Sequence, residues 1–321
     1  MIPPAKVTLV EVGPRDGLQM EKEFIPTETK IAIVNAIARA GIRSMEVTSF
    51  VSPKVIPQLR DAAKVMASID RVPGVTYMAL IPNLKGAERA LAAGTDVVKT
   101  VLCTSDSYNR RNVGMTVEES IRDCGEILQF SQAHGMRAET VIALSFGCPL
   151  EGPISPSRVV EITGRLVAQG YKEISVADSM GLANPVQVRR MMRLLQDNFR
   201  TIRFSLHVHN TRGLGLANIF AAWEEGIDEF DSSIGGLGGS DVVVAGASGN
   251  VPTEDLTNMF TEMGVETGVD IDKILVAARL AQQALGRPLP SYLLTHGTPP
   301  HFYQRVRESE AKKFAPHRKA E

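Results

Sequence analysis

His207-Val208-His209-Asn210 directly follows a short β-type run, Arg203-Phe204-Ser205-Leu206. Residues two apart in a strand project from the same face. Both imidazoles can therefore reach one metal ion without bending the backbone, and imidazole suits several divalent metals. A carboxylate from a second strand end would complete a catalytic centre with positions left open for substrate. Asp16, in Gly13-Pro14-Arg15-Asp16-Gly17, is the candidate. A His-x-His pair is a weak signal by itself, because histidines on strands are often ordinary polar residues. The surroundings of the pair have to decide.

Those surroundings are a strand followed by a helix, repeated. Strand-like runs rich in Val and Ile occupy Val7 to Val12, Ser44 to Thr48, Thr76 to Ile81, Asp96 to Leu102, Glu139 to Leu144, Glu173 to Ala177, Arg203 to His209 and Glu229 to Ile234. Gly, Pro, Asn or Ser bounds each run. Apolar residues at helical spacing lie between them, as in Thr29 to Ala40, Val117 to Ala133 and Pro156 to Ala168. Gly41, Gly94, Gly135, Gly170 and Gly226 stand where helices should end, and glycine suits the left-handed position there. Units recur every ~25–40 residues, as strand–helix units require. About eight units predict a TIM (β/α)8 barrel with extra C-terminal helices. A doubly wound open sheet is the alternative, but Gly-Pro-Arg-Asp-Gly follows the first strand rather than a GxGxxG dinucleotide loop. Thr253 to Met263 and Ile271 to Leu285 read as the further helices. Residues 1–285 are expected to form the barrel with these helices, and 286–321 a C-terminal tail, mixed in charge and solvated from Arg305 onward.

Bulk composition excludes several classes. The chain has 321 residues, 44% hydrophobic and 22% charged, with a net charge of -1. That balance is ordinary for a globular protein and gives no electrostatic reason to bind nucleic acid. No apolar run is long enough to span a bilayer. Met1 leads almost directly into a strand pattern, so no signal or transit peptide is expected. Cys103, Cys124 and Cys148 lie far apart, forming neither a CxxC motif nor an even disulfide set. Reduced thiols in a cytoplasmic protein are the expectation.

In a (β/α)8 barrel, chemistry sits at the C-terminal ends of the strands. Unusual polar residues collect there: Arg15, Asp16 and Gln19 after strand one, Glu46, Thr48 and Ser49 on strand two, and Asn83 after strand three. Strand six brings Ser175 and Asp178, strand seven the histidines. Strand eight runs into Gly235-Gly236-Leu237-Gly238-Gly239-Ser240, followed by Gly246-Ala247-Ser248-Gly249-Asn250. Each has an unremarkable reading alone. Glu46 could pair with a nearby lysine or arginine, Asp178 could cap a helix, and Arg15 could lie on the surface. Together they would put several charges in one barrel mouth, which costs several kcal/mol per ion unless the charges are paired or bind a metal. Asp16, His207 and His209 supply oxygen and nitrogen ligands, and Asn250 could add an amide oxygen. No cysteine is involved, so a structural zinc site is not expected. Mg²⁺ or Mn²⁺ fits such a set. Arg15 could stabilise a developing enolate, with Glu46 holding it. That chemistry makes or breaks a carbon–carbon bond beside a carbonyl.

Taken together, these residues resemble the 3-hydroxy-3-methylglutaryl-CoA lyase branch of the DRE-TIM metallolyases. The similarity runs through Val10-Glu11-Val12-Gly13-Pro14-Arg15-Asp16-Gly17-Leu18-Gln19, Thr48-Ser49-Phe50-Val51-Ser52-Pro53-Lys54 and Pro82-Asn83-Leu84-Lys85-Gly86. It continues through Gly147-Cys148-Pro149, Glu151-Gly152, the histidine pair, Gly246 to Asn250 and Thr253-Glu254-Asp255-Leu256. The resemblance implies a TIM barrel with a divalent cation that cleaves a 3-hydroxyacyl-CoA by retro-Claisen chemistry, usually to acetyl-CoA and acetoacetate, as in leucine degradation. It implies metal ligation by Asp16, His207, His209 and Asn250, enolate stabilisation by Arg15 supported by Glu46, and proton removal by Asp16 or a neighbouring histidine. Gln19, Ser49, Asn83, Ser175 and Asp178 are candidate substrate contacts, with Lys54 and Lys85 further possible contacts to the CoA nucleotide. A homodimer is also implied.

One departure stands out. The family's loop after strand eight usually reads Gly-Leu-Gly-Gly-Cys-Pro, with the cysteine serving proton transfer. Here Ser240-Asp241 follows Gly238-Gly239, and the stretch to Asn250 is one residue longer. A serine hydroxyl is a far weaker acid than a thiol of pKa about 8.5. Three readings stay open: a slower lyase in which Ser240 or Asp241 substitutes, a lyase for a related 3-hydroxyacyl-CoA, or an acyl-CoA-binding barrel without catalysis. Related synthases, which condense acetyl-CoA with a 2-oxo acid, share the Arg-Asp and His-x-His motifs but generally carry further domains.

Overall fold

A computed structural model describes residues 2–238 and 249–313. Eight strands close into one barrel in sequence order: β1 Thr8–Glu11, β2 Ser44–Ser49, β3 Thr76–Leu80, β4 Val97–Cys103, β5 Arg137–Ala143, β6 Glu173–Asp178, β7 Arg203–Val208 and β8 Glu229–Ser232. Every neighbouring pair is parallel, and β8 returns to β1 with Thr8 opposite Glu229. The expected (β/α)8 barrel is the observed fold.

Alternation along the strands divides the molecule into two environments. Leu9, Met45, Tyr77, Val98, Ile142, Ile174, Phe204 and Phe230, one from each strand, belong to a single apolar core shared with the helices. The residues beside them in sequence face the barrel lumen. There, Val10, Val12, Met78 and Val97 form a small separate apolar cluster. Much of the remaining lumen is polar, which matters below.

The helices follow the expected pattern closely. Thr27–Arg39 packs Ile33, Val34 and Ile37 against the core. Val117–Ala133 begins with a capping box in which Thr116 and Glu119 satisfy one another's backbone amides. Pro156–Gln169 has proline in its first turn and ends at Gly170. The five glycines expected at helix ends all have positive φ. At Gly41 the need is also steric, because a Cβ there would lie 2.3 Å from the Gly268 carbonyl oxygen.

Several element ends and the tail differ from expectation: β5 begins at Arg137, β7 ends at Val208 and β8 ends at Ser232. β1 stops at Glu11 rather than Val12, because the Val12 carbonyl already accepts from the Arg15 and Asp16 amides and turns the chain into the helical segment Gly13–Gly17. The expected tail contains the helices Tyr292–His296 and Pro299–Lys313. Asp255 anchors the first by accepting from Ser291 and the amides of Tyr292 and Leu293. No helix among the described residues is long and apolar enough to cross a membrane.

Candidate active site

Three chain segments meet at the C-terminal mouth of the barrel. β7 carries His207 and delivers His209 one residue beyond its end. The turn Gly13–Gly17 delivers Arg15 and Asp16. An antiparallel bridge between His209 and Asn250 brings in the third segment. Asp16, His207 and His209 are all buried, and their potential ligand atoms lie within 4.8 Å of one another. The Asp16 Oδ2 is 3.8 Å from His209 Nε2.

Asn250 completes the cluster. Its Nδ2 donates to Asp16 Oδ2 at 2.7 Å and to the Leu237 carbonyl at 3.0 Å. Its Oδ1 is buried without a hydrogen-bond partner among the described residues. Gly238 allows this approach: with φ near +105°, a side chain would be strained, and its Cβ would sit 2.6 Å from Asn250 Nδ2.

The neighbours of these residues fix their orientation. His207 Nδ1 lies 3.0 Å from Asp231 Oδ2. That bond places the proton on Nδ1 and leaves Nε2 available, as metal-bound histidines require. Arg15 donates from Nε to Glu46 Oε2 at 2.5 Å and from Nη1 to Asp16 Oδ1 at 2.7 Å. Gln19 Nε2 also donates to Asp16 Oδ1, at 3.0 Å. Asp16 thus holds one oxygen toward Arg15 and the other toward Asn250 and His209.

Electrostatics prepare the cluster for a cation. Burial works against a charged Asp16, but Arg15, both histidines and the Asn250 bond outweigh it, so its carboxyl is held well below the usual range. Burial, reinforced by His207, pulls His209 down to about 4. His209 is therefore neutral near pH 7, with a lone pair free for ligation. Burial also opposes the charged form of His207, but Asp231 more than offsets it and raises the pKa. The donor set of one carboxylate, two imidazoles and an unmatched amide oxygen fits a divalent cation.

The other expected site residues divide into two groups. Ser175 presents a buried hydroxyl without a hydrogen-bond partner among the described residues. Ser49, Asn83 and Asp178 are engaged locally. Ser49 Oγ accepts from the Val51 amide, and Asn83 Oδ1 caps the helix Leu84–Ala92 through the Gly86 amide. Asp178 accepts from the Leu182 and Ala183 amides, holding that loop, while Asn184 rather than Asp178 caps the following helix. Lys54 and Lys85 are exposed. Ser240, Asp241 and the stretch Gly246 to Ser248 lie outside the described residues. Cys103 and Cys148 share a separate cluster with Tyr108, and burial pushes the Cys103 thiol up to about 12.

Several functional neighbours escaped the sequence reading. Asp231, which orients His207, sits in a strand that reads simply as apolar and acidic. Lys99 lies in the lumen 3.2 Å from Glu46 and 3.7 Å from Asp231. Glu11 and Glu254, both fully buried, accept from the amides of Gly13, Ile234 and Gly235, and so brace the turns on either side of the mouth. Burial raises their pKa values to about 8 and about 7. The only signal in the sequence was charge at alternate positions of short strands, and that does not say which strands meet.

Barrels of this kind place their catalytic groups at these strand ends, and a His/His/Asp donor set beside a clamped arginine defines a metal-dependent barrel enzyme. Comparison with known proteins narrows the class. The chain belongs to the HMGL-like family, whose model matches residues 6–281. It is 41% identical over 288 residues to the Bacillus subtilis hydroxymethylglutaryl-CoA lyase YngG, covering 90% of this chain and 96% of that protein. It is 40% identical to the mitochondrial hydroxymethylglutaryl-CoA lyase of Bos taurus over 88% of this chain and 87% of the relative. Among solved structures, an HMG-CoA lyase from Acinetobacter baumannii, in complex with coenzyme A and 3-methylmalate, superimposes with a TM-score of 0.87. That structure is 40% identical, and the match covers 92% of this chain and 96% of the other.

Proposed function

We propose that this chain is a divalent-metal-dependent carbon–carbon lyase that cleaves 3-hydroxy-3-methylglutaryl-CoA, or a close relative, by retro-Claisen chemistry to acetyl-CoA and an oxo acid. The observation that carries this reading is the convergence of Asp16, His207 and His209 beside an arginine clamped by Glu46 and Asp16. Asn250 Oδ1 would be the fourth ligand. A bound Mg²⁺ or Mn²⁺ supplies Lewis acidity and a template for the substrate's oxygens. The remaining work falls to the chain's own residues.

Asp16 or a neighbouring histidine takes the proton from the 3-hydroxyl. The resulting alkoxide collapses to a carbonyl, the C2–C3 bond breaks, and its electron pair passes to the thioester enolate. Arg15 uses Nε and Nη1 on protein carboxylates, which orients the guanidinium and leaves Nη2 to meet the enolate oxygen. A proton delivered to the enolate carbon completes acetyl-CoA, and Ser240, or Asp241 beside it, stands where the family has its cysteine. Gln19 and Ser175 border the substrate. A cytoplasmic homodimer acting in leucine degradation goes with this reading. The relatives that match along most of their length are lyases rather than condensing enzymes, which favours cleavage.

The test is acetyl-CoA release by purified protein with Mg²⁺ or Mn²⁺, from 3-hydroxy-3-methylglutaryl-CoA and a panel of other 3-hydroxyacyl-CoA esters, with Ser240→Cys alongside. Release from the first ester is expected. Release only from another ester would shift the substrate, and no release from any ester by either protein would overturn the lyase reading.

A further inference from the structure

Lys99 is 1% exposed, on the lumen side of β4. Its Nζ lies 3.2 Å from Glu46 Oε1, 3.7 Å from Asp231 Oδ1 and 4.0 Å from Glu139 Oε2. Those carboxylates come from β2, β8 and β5, which can share one partner only through the lumen. Among the described residues, Lys99 Nζ finds no hydrogen bond of good geometry, and neither do Glu46 Oε1 and Asp231 Oδ1. The ammonium is held by charge at the centre of a fork.

The second oxygen of each branch is the informative part. Glu46 Oε2 accepts from Arg15, and Asp231 Oδ2 meets His207. Glu46 and Asp231 thus each spend one oxygen on Lys99 and the other on an active-site side chain. Without the cation, two anions buried in one lumen would repel each other and turn toward other partners.

We propose that Lys99 is a positioning residue that sets the arginine half and the metal half of the site relative to one another, through Glu46 and Asp231. It touches neither the cation site nor the reacting atoms. Glu139 serves as an internal control, because it contacts Lys99 and Arg137 but none of the site residues. The proposal rests on the metal site of the reading above, so the experiment separates the two.

The probe is Mn²⁺ alone, titrated by calorimetry or electron paramagnetic resonance into wild type, Lys99→Met and Glu139→Gln, with kcat and KM measured alongside. Wild type that binds no Mn²⁺ would sink the metal reading and this proposal with it. Given wild-type binding, Lys99→Met should weaken Mn²⁺ by about 10–100-fold, the usual cost of losing a residue that supports a ligand. It should also lower kcat more than it raises KM, whereas Glu139→Gln should match wild type in both. Unchanged affinity and kcat in a folded Lys99→Met protein would overturn the proposal. If Lys99→Met does not fold, Lys99→Gln, which keeps a hydrogen-bond donor in the lumen but no charge, takes its place. Failure of both to fold would mean that Lys99 serves stability, and the proposal would fall.

Discussion

The two ends of the barrel both gather charge, but they treat it differently. At the N-terminal end, Arg137 reaches Glu139 and Glu173, and Arg203 reaches Glu229 and Asp228. Those arginines keep much of their side chains in water, 59% and 43% exposed. Among the described residues, each of these carboxylates has a cationic partner. At the C-terminal mouth, Arg15, Asp16, His207 and His209 have side chains only 9–12% exposed, and a buried amide oxygen has no partner. Hydrated, fully paired charge closes a barrel. Dry, incompletely satisfied charge is costly in the free protein and is retained where a ligand completes it.

Breaking the mouth should have the largest effect. Asp16→Ala or His207→Ala removes a ligand, so metal-dependent turnover should fall about a thousandfold or more, and Mn²⁺ titration should show the binding lost. Normal activity in either variant would sink the metal assignment. Arg15→Ala should lower kcat by about 10²–10³-fold, as loss of a donor to a developing oxyanion does, with Mn²⁺ affinity nearly intact. An unchanged rate would remove its enolate role.

Acidity sharpens the comparison next. The His209 pKa is depressed to about 4 in the fold, against an ordinary value of 6.5. The unfolded chain therefore binds more protons between those values, so the stability this group contributes is present above pH 6.5 and lost as pH falls toward 4. The loss amounts to about 3 kcal/mol. The difference between thermal melts of metal-free wild type and His209→Asn across that window should show it, because the raised pKa values of Glu11 and Glu254 push total stability the other way. Mn²⁺ at about 100 times its Kd should add about 2.7 kcal/mol above the window. The smallest effect belongs to the other end. Arg137→Ala should cost about 1 kcal/mol or less in denaturant melts and leave kcat unchanged, because that arginine is 59% exposed and Glu139 keeps Lys99 beside it. A large loss of turnover there would blur the contrast between the two ends.

How much of this was legible beforehand differs by element. All eight strands and five of the long helices were readable, because burial on one face imposes a period of two or 3.6 along a local segment. The helix Val117–Ala133 begins and ends where expected, since Thr116 and Gly135 mark it chemically. The helix Pro299–Lys313 was missed because its mixed charges leave no apolar stripe to read. Asp178 read equally well as a helix cap or a site residue, and only the loop amides of Leu182 and Ala183 show where its carboxylate is engaged.

By itself, the sequence determined the barrel and its family, and it placed Arg15, Asp16, His207, His209 and Asn250 at strand ends that such a barrel gathers into one mouth. Spacing along the chain carries that information, since each motif is a few residues long. Tertiary structure alone decided which groups hold them: Asp231 on His207, Glu46 on Arg15, and Lys99 between the two carboxylates. These contacts join β2, β4, β7 and β8 across the lumen. Closure of the sheet brings together residues more than a hundred positions apart, and no local pattern records such a meeting.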